Sequence, residues 1–296
     1  MTNSGGLRVE FQVCEHPIFV VGAPRSATSA FALSLARHSA LWASGESFFF
    51  FDLFGGGRLQ GAWANASERP SQSLIAMEKV QRRDFYKAVG LGLNALISEV
   101  AHGLRWVDHT PHHSLMIGDL AEIFPGASFL HLLRDGRSVV HSMTHFLDRL
   151  PPEVRTSMLS GGFAPSWATD FRGACTTWRD YVNSVTRFLD ANPERGITIR
   201  TNELASNPTK EFGRIFEFLG LDQEEVPAAH FRLARVNSSF GPDTIGKPST
   251  DAVERPWDEW TVEQRLIFVE EAGQALIDSG FVAEGEFTTA SLKSGA

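Results

Sequence analysis

Two short segments carry the residue types that grip anions. The first, Val20-Val21-Gly22-Ala23-Pro24-Arg25-Ser26-Ala27-Thr28-Ser29, joins an apolar run to a helical pattern. Such a junction turns several backbone N–H groups, and the positive end of a helix dipole, toward one spot outside a sheet. A phosphate fits there, with the hydroxyls of Ser26, Thr28 and Ser29 as further donors. The second segment, Arg134-Asp135-Gly136-Arg137-Ser138-Val139-Val140-His141-Ser142, leaves another apolar run. A guanidinium fork at a strand end and a hydroxyl eight residues on, inside the next helix, can hold one anion together. The ordinary alternative pairs Arg134 with Asp135 or another surface acid and leaves Ser142 a neutral helix residue.

The first segment has nearly the spacing of a Walker A loop, because Gly22 is followed after four residues by Ala27, Thr28 and Ser29. Thr28 stands where that loop has its lysine, and Ala27 where it has the preceding glycine. A magnesium-dependent P-loop kinase is therefore disfavoured and is the competing enzyme reading. The competing reading of another class is a protein that retains nucleotide without catalysis. His109, His112 and His113, with His141 and His145 one helical turn apart, raise zinc as a further alternative. No carboxylate or cysteine completes a ligand set in sequence, so no metal is expected.

Both segments need a sheet behind them. Four apolar runs bounded by turn signals read as buried parallel strands: Ile18–Val21, Leu104–Val107, Ser128–Leu133 and Ile197–Thr201. Helical patterns follow two of them, over Thr28–His38 and Arg137–Phe146, and this alternation predicts an α/β fold with a central parallel sheet flanked by helices. Asn207–Leu221 reads as a helix ending at Gly220, and Trp257–Phe281 as another, opened near Thr261 with Gln264 three residues on and closed at Gly280. Residues 47–103 read as a helical insertion with a loop around 62–73. Residues 148–172, with Pro151, Pro152, Gly161, Gly162 and Pro165, read as a loop or lid. The phenylalanine run Phe48–Phe51 and Trp106, Trp178, Trp257 and Trp260 have the ordinary reading of core residues.

The bulk properties agree. With 43% hydrophobic and 21% charged residues, a chain of 296 residues can bury a sizeable core, and no linker divides it, so one domain over residues 1–296 is expected. No run of about 18 apolar residues suggests a membrane span. Met1 to Glu10 shows no basic-then-apolar leader, and two cysteines form no disulfide framework, so the expected compartment is the cytoplasm. A net charge of -8 argues against general nucleic-acid binding but leaves room for a small anionic ligand held by a few focused cations.

Taken in order, these segments resemble the sulfotransferase family that uses 3′-phosphoadenosine 5′-phosphosulfate (PAPS). Gly22 through Ser29 resembles its 5′-phosphosulfate loop in the Pro-Arg-Ser-Gly-Thr form of bacterial, tyrosylprotein and carbohydrate enzymes, with Ala27 in place of the glycine. Arg134 through Ser142 resembles its 3′-phosphate strand and helix. Asp108-His109-Thr110-Pro111 is similar to its Asp-Lys-Thr-Pro segment, with His109 for lysine. Ile199-Arg200-Thr201-Asn202-Glu203-Leu204, with Pro208 and Phe218-Leu219-Gly220 beyond, is similar to its Arg-Tyr-Glu-Asp-Leu…Pro…Phe-Leu-Gly stretch.

The resemblance implies a P-loop-like sulfotransferase fold and sulfuryl transfer from PAPS, without a metal, to a hydroxyl or amine. It implies Arg25 as the cation beside the phosphosulfate, Ser26, Ala27, Thr28 and Ser29 around the 5′-phosphate, and Arg134 and Ser142 at the 3′-phosphate. Lys247 is a candidate to close over the nucleotide, against a plain solvated lysine. Glu46 matches the catalytic glutamate of the tyrosylprotein form, while His109, His112 and His113 compete as the base, because the cytosolic small-molecule branch of the family uses a histidine from this stretch. Phe48, Phe49 and Phe50 follow Glu46 directly, so an acceptor with a hydrophobic portion is expected.

Overall fold

The computed structural model describes residues 12–233, 256–283 and 285; Lys247 and the start Met1 to Glu10 lie outside them. Five parallel strands form one sheet in the order β2-β3-β1-β4-β5. They are β1 (Ile18–Val21), β2 (Leu41–Ala43), β3 (Arg105–Asp108), β4 (Ser128–Leu133) and β5 (Gly196–Arg200). The central strands are apolar over all of β1 and, apart from Ser128 and the buried His131, over β4, because both faces are covered. Phe19, Val21 and Phe129 face a cluster with Trp106 and Phe124, while Ile18, Val20, Leu130 and Leu132 face Phe31, Phe212 and Phe216. A third cluster joins Val139, Val140 and Met143 to Trp178 and Phe268 near the C-terminal end of β4.

The strand order fixes the site. From β1 the chain moves to one side through β2 and β3, then crosses to β4 on the other side. A parallel sheet binds ligands where its order reverses, outside the strands' C-terminal ends. The loops after β1, β2, β3 and β4 all leave from those ends.

Four strands stand within one residue of the expected positions, with β3 shifted to Arg105–Asp108 and β5 to Gly196–Arg200. Thr261 and Gln264 form the capping box that opens Val262–Asp278, and Gly220 closes Pro208–Leu219 in the left-handed region. Three expectations need correction. The helix Arg58–Ser67 runs through the first half of the expected 62–73 loop. Residues 148–172 are not a loop: they hold helices Pro152–Ser160 and Ser166–Thr169. Pro152 sits in the first helical turn and Gly161 at the C-terminal cap, so these residues bracket a helix instead of breaking one. The longest helix, Phe171–Ala191, was not anticipated; Asp170 caps it, accepting from Gly173 N, and Cys175, Trp178, Val182, Val185 and Leu189 bury one stripe.

Candidate active site

The loop after β1 approaches β4 so closely that a side chain at Gly22 would meet the carbonyl oxygen of Leu132 at 2.5 Å. Ser114 Oγ pins the loop, accepting from Gly22 N at 2.8 Å and donating to Gly22 O at 3.1 Å. Arg25 (φ 71°) and Ala27 (φ 65°) then adopt left-handed conformations on either side of Ser26. Ala27 is the N-cap of the helix Thr28–Leu35 and makes no side-chain cap bond. The first-turn N–H groups lack a capping side chain there, the condition under which a helix start receives an anion.

At the end of β4, Asp135 caps the helix Gly136–Thr144 and holds Arg137, its carboxylate 2.6 Å from Nη2. The alternative in which Asp135 occupies Arg134 is thus not what forms. Arg134 Nη1 instead donates to Arg25 O at 2.8 Å, and Arg25 Nε donates to Ser142 Oγ at 3.3 Å. The two anion-gripping segments are one hydrogen-bonded unit. Arg25 also lies over the Phe146 ring, 5.3 Å from its centroid. Burial pushes Arg25 down to about 10, with Arg149 and Arg134 adding repulsion. Burial lowers Arg134 as well; Asp135 opposes this and Arg149 adds to it. Arg149, in the short turn Leu147–Arg149, carries no sequence motif that points to this site. Buried guanidinium groups held against mutual repulsion suit a multiply charged anion.

These groups open on a cavity of about 400 Å³, within the roughly 300–1,000 Å³ of small-molecule sites. Its lining unites Arg25, Ala27, Thr28, Ser29, Glu46, His112, Arg134 and Ser142. Ser26 and His109 are not among its lining residues. The alternating left-handed residues turn Ser26 inward, where its hydroxyl is buried without a partner among the described residues. His109 is also buried, its Nε2 2.9 Å from the carbonyl oxygen of Ser44.

Glu46 is half-buried, and burial raises its pKa; His109 opposes the shift and Asp108 adds to it. The His112 ring lies tilted against Phe51, the centroids 4.8 Å apart, and burial lowers its pKa, opposed by Asp52. The apolar wall consists of Phe48, Pro111, Phe146, Pro165 and Trp167, with Phe146 and Trp167 edge to face at 5.3 Å. Of the phenylalanine run, Phe50 is core, whereas Phe48 is 52% exposed at the cavity. Trp106, Trp178 and Trp260 are buried, as expected. The His141 and His145 rings lie tilted against each other at 4.2 Å, but no group of three or more potential ligands for a metal occurs among the described residues.

A parallel sheet with cationic loops gathered at its switch point defines a transferase-like, P-loop-related protein that handles a phosphorylated nucleotide. The chain belongs to the sulfotransferase family, whose model, described as "Sulfotransferase family", matches residues 17–225. A Caenorhabditis briggsae protein described as a protein-tyrosine sulfotransferase is 24% identical over 225 residues, covering 74% of this chain and 70% of the relative. Among solved structures, the sulfotransferase domain of the Synechococcus PCC 7002 olefin synthase superposes with a TM-score of 0.58 at 17% identity, covering 93% of this chain and 98% of the domain. Mouse sulfotransferase SULT7A1, solved with PAP, gives 0.51 at 14% identity, covering 90% of each chain. The chain is thus an enzyme of sulfuryl transfer from PAPS, and the kinase reading is set aside.

Proposed function

We propose that this sulfotransferase passes the sulfuryl group of PAPS to the hydroxyl of an acceptor with an apolar or aromatic body, with Glu46 as general base. The observation that carries the proposal is that Glu46 is the one carboxylate among the described residues lining a cavity otherwise supplied with Arg25 and Arg134. In this reading the acceptor oxygen forms a bond to sulfur as the bond from sulfur to the nucleotide's phosphate oxygen breaks. The acceptor proton goes to Glu46, and the electron pair stays on the leaving phosphate. Arg25 stabilises that growing charge, a preorganised electrostatic role that needs no rearrangement during the reaction. Thr28, Ser29 and the loop amides hold the 5′-phosphate, and Arg134 with Ser142 the 3′-phosphate. Phe48, Phe146 and Trp167 support an acceptor with a flat apolar body. Tyrosine, the residue for which the Caenorhabditis briggsae relative is named, has such a body.

His112 is the second reading for the base, because it lines the same cavity and burial favours its neutral form. The test is transfer from radiolabelled PAPS to naphthol, octanol and glucose, followed by Glu46→Gln and His112→Asn on the best acceptor. Glu46→Gln is expected to lower kcat by about 10²–10⁴-fold with nucleotide affinity unchanged. An active Glu46→Gln beside an inactive His112→Asn would give the role to histidine.

A further inference from the structure

The segment that carries Glu46 leaves β2, the three-residue edge strand, and has little secondary structure of its own. Its backbone is nevertheless held on both sides of Glu46. Before it, the carbonyl oxygen of Ser44 accepts from His109 Nε2 at 2.9 Å. After it, Ser47 N donates to Thr110 Oγ1 at 2.9 Å. The Thr110 hydroxyl donates its own proton to Asp108 Oδ1 at 2.9 Å, so its oxygen is left as an acceptor facing Ser47. Asp108 Oδ1 also accepts from Thr110 N at 3.0 Å, and His113 Nδ1 lies 3.6 Å from it. Asp108, His109, Thr110 and His113 are all buried, so water does not compete for these bonds.

Beyond the second hold the chain takes an uncommon turn. Phe48 has φ 45° and ψ -43°, and Phe49 N donates back to Ser47 O across it. This is close to the strained form of the γ-turn, which persists only where surrounding structure enforces it. The turn presents Phe48 at the cavity beside Glu46.

We infer that His109 and the Thr110–Asp108 pair are positioning residues that clamp the Glu46 segment at Ser44 and Ser47 and so aim the base at the acceptor hydroxyl. The inference rests on the reading of Glu46 as base. It gives His109, which occupies the lysine position of the family segment, a role through Ser44 and none in contact with the acceptor. The groups facing Glu46 are His109 and Asp108 from the end of β3, His112 from the following turn, and Arg25 and Arg134 across the cavity. Burial raises the pKa of Glu46, so loosening the clamp admits water and lets it fall toward the ordinary carboxylate value.

The experiment measures kcat, KM and pH profile of Thr110→Val and Thr110→Ser, using naphthol or octanol as acceptor, whichever turns over faster. Adenosine 3′,5′-bisphosphate binding reports folding of the nucleotide site. Thr110→Val removes the hydroxyl at constant volume. It should lower kcat by about 10–100-fold, the scale of a misaimed group, with nucleotide Kd unchanged. Its acid limb of kcat should shift to lower pH, because the released base loses its proton more easily. Thr110→Ser should restore both features. His109→Gln, which keeps an N–H donor, should exceed His109→Leu in kcat, and this pair decides should Thr110→Val not fold. With Glu46→Gln inactive, wild-type kcat and an unmoved limb in Thr110→Val, or equal kcat in the two His109 variants, overturn the clamp alone. An active Glu46→Gln overturns the base and the clamp together.

Discussion

Ala27 offers a direct measure of strain in the phosphate loop. It sits at φ 65° and ψ 28°, where an L-residue with a Cβ costs roughly 1–2 kcal/mol. Glycine removes that cost but gives the unfolded chain more freedom, worth about 0.4–1 kcal/mol against it. The Ala27 methyl is exposed, so trimming it sacrifices little packing. Ala27→Gly should therefore stabilise the protein by about 0.5–1 kcal/mol, the difference of those two effects. Ala27→Val should do the reverse and more strongly, because a β-branched residue at positive φ is a true outlier. Urea denaturation of the three proteins, with and without adenosine 3′,5′-bisphosphate, measures the ladder. Nucleotide affinity of the glycine variant should stay near wild type, since the loop already holds the conformation glycine prefers. A glycine variant less stable than wild type, or a valine variant as stable, would refute the reasoning.

Two further outcomes follow from the same cavity. Calorimetry should show adenosine 3′,5′-bisphosphate binding far better than ADP, and Arg134→Ala should erase roughly 2–5 kcal/mol of that preference, the scale of a lost buried charge pair; equal affinities in the wild type would contradict the assignment of Arg134 and Ser142. Glu46→Gln should gain stability at neutral pH while losing activity: a carboxyl whose folded pKa is raised favours folding below its unfolded value and loses that contribution as pH rises through the folded one, so the glutamine advantage in urea midpoints should vanish below about pH 4.

Much of the frame was legible in the sequence, because its signals are local. Ile18–Val21 is a continuous apolar run and Ser128–Leu133 nearly one, broken by His131, the pattern of a strand buried on both faces. The Thr261–Gln264 box and Gly220 are caps whose chemistry acts within a few residues. Arg134 and Ser142 reach one cavity because a strand end and the next helix have fixed geometry, although Ser142 bonds Arg25. β2 escaped notice, for three residues at a sheet edge carry almost no pattern. The helix Phe171–Ala191 did carry a signal: Asp170 and the 174–175–178–182–185–189 stripe have the spacing of a capped amphipathic helix. The prolines and glycines just before it drew the reading toward a loop. Arg149 and Trp167 were out of reach, since the charge of Arg149 near Arg25 and the place of Trp167 at the cavity depend on how residues 148–172 pack.

The strained residues explain why the site itself was harder to read than the frame. Positive φ at a residue other than glycine runs against local preference, and three of the five such residues described, Arg25, Ala27 and Phe48, line the cavity. Each lies in a loop braced from beyond the C-terminal end of a strand other than the one it follows. Ser114, after β3, holds Gly22 in the loop of Arg25 and Ala27; Arg134, at the end of β4, holds the Arg25 carbonyl; Thr110, also after β3, holds Ser47 beside Phe48. The bracing groups lie 63 to 109 residues from their partners, so the strain is affordable only once the sheet has formed in its final order. The same bonds that permit the unusual turns also fix where Arg25 and Glu46 point. A sequence can display these residues, but their directions belong to the assembled strand ends.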